Sequence, residues 1–443
     1  MGTHADVAGR PPGDAKVRAM PVDGDVLRSW RRARRWDVPE MARQLRRVAD
    51  GHMPVHDALV RMIRRWESAG LRTERYELLY AAALATSPDQ LCRGPANGDV
   101  SHTAGSDRAS SPLSEAVDLG TWLAATNAGE GIISYLAATA RRLAEDYTRQ
   151  PPLTVLHDGF QAQRRVASLL RGGRQRLAQT RDLCLIGAEV YAFLALLCSD
   201  VGQYPAAEAY GHVGWICAEE SGSSLAGALV LSAQAKTAQW RRRYAAAAAK
   251  ARQGHEMCPP AGARVLLACQ EANAAQALGD TDRAGEALAR AQVAAGHGTP
   301  DPDDDGTTAW SCPPAREANY AAIVNLGAGQ LERSLSEAGR ADEAWASGCP
   351  WVYGTWAQVR IGAAIAHVRN GEAEGAAGEI APVLSLPAEY RVVTLTDRLL
   401  YVNQLLRGMR YRNNPAAANL TAAIAEFCAS SLRTKAITAA AMS

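Results

Sequence analysis

Thirteen Arg and no Lys fall within residues 24 to 85, against eight Asp and Glu. That stretch carries about +5, whereas the whole chain of 443 residues carries only +2. The guanidinium group is a permanently charged, planar fork of N–H donors, a shape that matches phosphate oxygens and the O6/N7 edge of guanine. A near-neutral chain that gathers its positive charge in one short stretch has the electrostatic footprint of a nucleic-acid contact.

Other chemistry is poorly supported. The nine Cys form no C-x-x-C pair and do not cluster with His at zinc-ligand spacing, so reduced core thiols are expected and no metal site. Asp301, Asp303, Asp305 and Gly306 imitate the opening of a calcium loop, but the twelfth position is Cys312 and Pro302 interrupts the start, which reads as an acidic surface loop. There is no H-E-x-x-H, no phosphate-binding Gly loop after a strand and no nucleophile–base motif, so neither an enzyme nor a bound cofactor is expected.

The Arg must be positioned by helices. On a helical wheel Val26, Leu27, Trp30 and Ala33 gather on one side, opposite Arg28, Arg31, Arg32 and Arg35. Asp37 stands as an N-cap with Glu40 three residues on, a capping-box arrangement, and Val38, Met41, Ala42 and Leu45 make the buried stripe of a second helix. Arg43, Gln44 and Arg46 lie on that helix as further candidate contacts. In a third helix Leu59, Met62, Ile63 and Trp66 face inward while Arg61, Arg64 and Arg65 face outward beside Asp57. A fourth helix, capped by Thr73, closes the core with Leu71, Tyr76, Leu79, Ala82 and Ala83. A single basic helix face of this kind is better explained by solvation. Two adjacent ones in an otherwise slightly acidic chain favour a DNA contact.

Composition bounds the rest. Ala is about a fifth of the chain and Arg outnumbers Lys 44 to 4, which predicts a mostly helical, all-α fold. Residues 1–23 read as a disordered arm without the apolar core of a signal peptide. Residues 24–86 form the basic helical domain, 87–112 a Gly/Ser/Pro/Asp-rich linker, 113–432 a helical array and 433–443 a tail. No window of 18 uninterrupted apolar residues appears, so a cytoplasmic, nucleoid-associated protein without a membrane span is expected. Within the array a tetratricopeptide-like pattern (Gly, then Ala five residues on, then small or apolar residues four and seven further) occurs at Gly279, Gly371 and, less fully, Gly202, with a fragment at Gly339. The spacings, 77 and 92 residues, are too long for adjacent units, which predicts a degenerate solenoid.

At this point the chain resembles the actinobacterial XRE-type (lambda-repressor-like) helix-turn-helix regulators fused to a tetratricopeptide-like domain. The resemblance rests on Leu27, Trp30, Arg34, Trp36, Asp37, Glu40, Met41 and Ala42 in their spacing, on Trp66-Glu67, and more weakly on residues 354–368. It implies a recognition helix ending at Trp66-Glu67, with Arg61, Arg64 and Arg65 reading bases or phosphates and His56 and Asp57 near its N-terminus. Val38 departs from the Gln common after the second helix's cap, and the turn before the third helix is enlarged.

A second candidate site lies at residues 310 to 360, where four of the ten Trp occur. Trp310, Asn319, Tyr320, Asn325, Tyr353, Trp356 and Arg360, with Trp240 and Asn273 if the repeats stack in register, could line the concave face of the array. The same Trp could instead fill inter-helix packing in an Ala-rich array. The expectation is a transcriptional regulator: double-stranded DNA and a second copy of the chain as partners, and a small-molecule or peptide effector. The alternative is a repeat-based protein adaptor without sequence-specific DNA binding.

Overall fold

The computed structural model describes residues 22–34, 36–49, 53–71, 73–84, 86, 88–94, 119–120, 126–257, 261–297 and 308–432. Among them are nineteen α-helices, two short 3-10 turns and no strand, so the expected all-α class holds. The chain divides into two compact units, residues 1–109 and 110–443.

In the N-terminal unit α1 (Gly24–Ala33), α2 (Val38–Val48), α3 (His56–Ala69), α4 (Glu74–Leu84) and α5 (Pro88–Arg93) surround a core of Leu27, Met41, Leu45, Leu59, Ile63, Tyr80 and Leu84. Asp37 caps α2 by accepting from the Glu40 N–H at 2.6 Å, but the Glu40 carboxylate turns to Arg43 and Gln44, so half of the expected capping box is made. Two boundaries move. Val22, expected in the arm, is buried and exchanges both backbone hydrogen bonds with Leu71. Residues 88–93, expected in the linker, are helical, with Leu91 in the core and its carbonyl accepting from Trp30 Nε1 at 3.2 Å. Residues 1–21, 95–112 and 433–443, the acidic stretch 301–306 and Arg35 lie outside the described residues.

The C-terminal unit contains α6 (Glu130–Arg149), α7 (Pro152–Gly172), α8 (Leu177–Asp200), α9 (Tyr204–Ser221), α10 (Ser224–Trp240), α11 (Tyr244–Met257) and α12 (Ala261–Ala277). There follow α13 (Thr281–His297), α14 (Pro314–Gly327), α15 (Leu331–Ala346), α16 (Tyr353–Asn370), α17 (Ala373–Leu384), α18 (Val393–Leu406) and α19 (Pro415–Ala429). Helix α8 is long and apolar enough to cross a membrane, but most of it is buried against α7, α9 and α10.

Five hairpins, α8/α9 through α16/α17, share one turn. Its central residue is left-handed at Gly202, Arg242, Gly279, Gly329 and Gly371 (φ between +57° and +97°). The N–H of the following residue bonds the carbonyl five residues back: Gln203 to Cys198, Arg243 to Ala238, Asp280 to Ala275, Gln330 to Asn325, Glu372 to His367. This is the Schellman closure, which satisfies carbonyls at the end of the first helix. Five residues after each left-handed position a small side chain is buried: Ala207, Ala247, Ala284, Ser334 and Ala376. Those at Arg242 and Gly329 escape the sequence pattern, because Arg stands for Gly in one and Ser for Ala in the other. Restoring them divides the interval of 77 residues into 40 and 37, and that of 92 into 50 and 42. Gly339, by contrast, lies inside α15, so the expected fragment there is no turn.

The last helices return to the first. One hydrophobic core joins Leu136, Val166, Leu183 and Ile186 from α6–α8 to Ile361, Ile365, Leu395, Leu399 and Ile424 from α16–α19. Arg242 is the one non-Gly residue among the described residues with positive φ, a conformation that crowds Cβ against the backbone. Arg242→Gly is expected to stabilise the unit by roughly 0.5–1 kcal/mol, the relief of strain exceeding the added freedom of the unfolded chain, as a higher midpoint in urea denaturation.

Candidate functional site

Neighbours sort the Arg of the N-terminal unit into three groups. Arg31 points inward, its Nε and Nη2 donating to Glu67 Oε1 and Oε2 at 2.6 and 2.8 Å, and its Nη1 to the Trp36 carbonyl. Glu67 is 6% exposed, and its hydrogen bond raises the Arg31 guanidinium above its ordinary range. Arg28 donates to the Glu67 carbonyl at 2.6 Å and to Asp25, and Arg34 donates to the Leu84 carbonyl. The expectation that Arg28 and Arg31 face outward for DNA is therefore corrected: both staple α1 to α3. Gly24 makes this approach possible, since a Cβ there would meet the Glu67 carbonyl carbon at 2.7 Å.

The second group is paired along α2. Arg43 bonds Glu40 at 2.6 Å and the Gln44 amide donates to Glu40 at 2.7 Å, which together hold that carboxyl below the usual range, Gln44 contributing most. Arg47 donates to Gln44.

The third group is free. Arg32, Arg46, Arg61, Arg64 and Arg65 are exposed and, among the described residues, have no ion pair or side-chain hydrogen bond. Leu59 and Ile63, fully buried, orient α3 so that its three Arg share the outer face, with Asp57 exposed and His56 half-buried at its start.

The C-terminal unit contains a partly open cavity of about 480 Å³. Its wall is drawn from α6, α8, α10, α11, α12, α14, α15, α16 and α18 and includes five of the nine expected residues: Asn319, Tyr320, Tyr353, Trp240 and Asn273. The other four lie elsewhere. Trp310 and Trp356 pack into the core, Arg360 bonds Asp342 and Glu379, and Asn325 lies in the last turn of α14 with its carbonyl closing the turn at Gly329.

Helix α8 ends its apolar run in Asp200, the centre of the cavity's ionic network. Lys236 Nζ lies 2.8 Å from Asp200 Oδ1, the Tyr147 hydroxyl donates to Oδ2 at 2.6 Å, and Thr394 Oγ1 lies 3.4 Å from Oδ1. Burial, then the Asp200 charge, pushes the Tyr147 phenol well up, so it stays a neutral donor. Arg316 donates to the Ala309 and Ser311 carbonyls, and Arg398 to the Gln358 side-chain oxygen. Sequence reasoning missed these groups, because their helices are spread over some 250 positions. One signal was available: a lone Asp closing a long apolar run.

Two variants separate the roles of Arg. Arg31→Ala leaves a buried carboxylate without its main partner and is expected to destabilise the N-terminal unit by about 3 kcal/mol. Arg64→Ala is expected to change stability by no more than about 0.5 kcal/mol. Urea denaturation followed by circular dichroism distinguishes them, and equal losses would contradict the assignment.

No protein-family model matches this chain, and no curated protein matches it in sequence.

Proposed function

We propose that the chain is a DNA-binding transcriptional regulator, with an N-terminal helix-turn-helix unit and a C-terminal tetratricopeptide-like solenoid that takes an effector. The observation that carries this is the exposed face of α3, where Arg61, Arg64 and Arg65 stand unpaired while Arg28, Arg31 and Arg34 of the same unit are bound. In this reading α2 supports α3, and α3 enters the major groove. Its free guanidiniums bond guanine edges or phosphates, and Arg46 and Arg32 reach the flanking backbone. One such unit covers little DNA, so two copies of the chain read two half-sites.

The cavity supports the sensing half of the proposal. It has the size and mixed wall of a small-molecule site, with aromatic faces and a few convergent polar groups. A ligand held there by α10, α14, α16 and α18 together favours one arrangement of those helices over others, the requirement for coupling a bound effector to a DNA contact made by the other unit.

Gel retardation with genomic fragments captured on the full-length chain tests the DNA contact. Sequence-specific retardation that weakens with salt is expected. The Arg61/Arg64/Arg65→Ala variant should lose at least about 100-fold in affinity, and up to about three units of the slope of log K against log salt. Retardation of no fragment, or a triple variant that binds as well as the parent, would point to a protein adaptor instead.

A further inference from the structure

The cavity wall is unbalanced in charge. Lys236, Arg242, Arg316, Arg369 and Arg398 line it, against Asp200 and Asp397. Asp200 is occupied by Lys236, Tyr147 and Thr394. Among the described residues no carboxylate lies within ion-pair distance of Arg316, Arg369 or Arg398. Arg316 is tied to two main-chain carbonyls, and Arg369 to the Leu326 carbonyl and the Tyr401 hydroxyl.

Arg398 differs from these. Among the described residues its hydrogen-bond partner is one neutral amide oxygen, that of Gln358, which leaves most of a five-donor fork available. Burial pushes its guanidinium down to about 10, the mark of a cation whose lost hydration is not replaced by an opposite charge. Three buried side-chain atoms on the same wall also have no hydrogen-bond partner among the described residues: Asn319 Oδ1, Gln239 Oε1 and Trp345 Nε1. Around them Trp240, Tyr320, Tyr353 and Tyr401 offer aromatic surface.

We propose that this cavity binds an organic anion, a carboxylate, phosphate or sulfonate head on an aromatic or aliphatic body, with Arg398 holding the head. The proposal rests on the reading of the cavity as the effector site. An anion arriving beside Arg398 makes charge-assisted, bidentate hydrogen bonds in a low-dielectric wall, where they are stronger than in water. The apolar body lies on the aromatic faces, and polar substituents on it meet the Trp345 indole N–H as acceptors or the Asn319 and Gln239 side-chain oxygens as donors. The head comes either from a free organic acid or from the terminal carboxylate of a short peptide, and the chemistry at Arg398 is the same.

Two dyes of one skeleton test this on the full-length chain: 8-anilinonaphthalene-1-sulfonate and neutral N-phenyl-1-naphthylamine. The sulfonate is expected to bind at one site at least about tenfold more tightly, in keeping with a charge-assisted hydrogen bond. Arg398→Gln should abolish that preference while keeping the affinity for the neutral dye. Arg398→Lys, which keeps the charge but not the fork, should retain part of it. The preference of the parent chain stands as a measurement even if a variant does not fold. Equal binding of the two dyes overturns the anion inference and leaves the effector reading intact, whereas binding of neither overturns both.

Displacement of the sulfonate then separates the sources, with indole-3-acetate against its amide, and N-acetyl-Leu-Trp-Leu with a free carboxyl against its C-terminal amide. Displacement by an acid and not by its amide supports the proposal and names the source. Displacement by the amides as readily as by the acids overturns it.

Discussion

The C-terminal unit depends on keeping the carboxylate of Asp200 inside. Helix α8 is apolar for most of its length and is packed by α7, α9 and α10, yet it ends in Asp200, which is 5% exposed. A carboxylate out of water needs donors and an opposite charge at close range, because its hydration is worth more than any single contact can return. Those groups come from α6 (Tyr147), α10 (Lys236) and α18 (Thr394). Meeting that requirement draws the late helix α18 back to the early helices, and apolar packing of α16–α19 on α6–α8 completes the closure. The cavity is the space left inside the closed array, which is why its wall draws on so many helices.

Small residues set how closely the hairpins approach. The left-handed turn lets each second helix fold straight back on the first, and the buried Ala or Ser five residues later lets the two backbones come near without voids. Gly214 and Gly254 act in the same way further along. A Cβ at Gly254 would meet Leu267 Cδ2 at 2.8 Å, and one at Gly214 would meet Tyr191 Cβ at 3.2 Å. Bulk is then supplied by the Tyr and Trp that face the cavity and by the aliphatic core at the closure.

The same physics divides the Arg of the N-terminal unit. All are chemically alike, and the wheel of α1 puts Arg28 and Arg31 on its polar face. That face is nonetheless covered, because α3 crosses it at Gly24 and brings Glu67 within reach. On α3 itself Leu59 and Ile63 are drawn into the core, so no described residue of the unit pairs Arg61, Arg64 or Arg65. A basic face on a helix therefore has no fixed meaning until its neighbours are known.

Helix class, the stripes of α2 and α3 and three of the five equivalent turns were legible in the sequence, because helical periodicity, capping and left-handed glycines are local properties of the chain. Two turns were hidden by Arg242 and Ser334, where the backbone demanded the same conformation or the same small volume from a different residue. The outward Arg of α3 were readable because the residues that bury the opposite face lie within one helical turn of them. The inward Arg31, the half-made capping box and the helix at 88–93 were decided by partners about 35 to 60 residues away, or by competing hydrogen bonds. The Asp200 network and the buried, sparsely paired fork of Arg398 depended on groups far apart in the chain, Thr394 and Asp200 by 194 positions, brought together only when the array closed. Sequence by itself determined which segments are helical and which of their faces are apolar. Tertiary packing decided which charges are neutralised and which remain free, because burial and pairing are properties of neighbours in space.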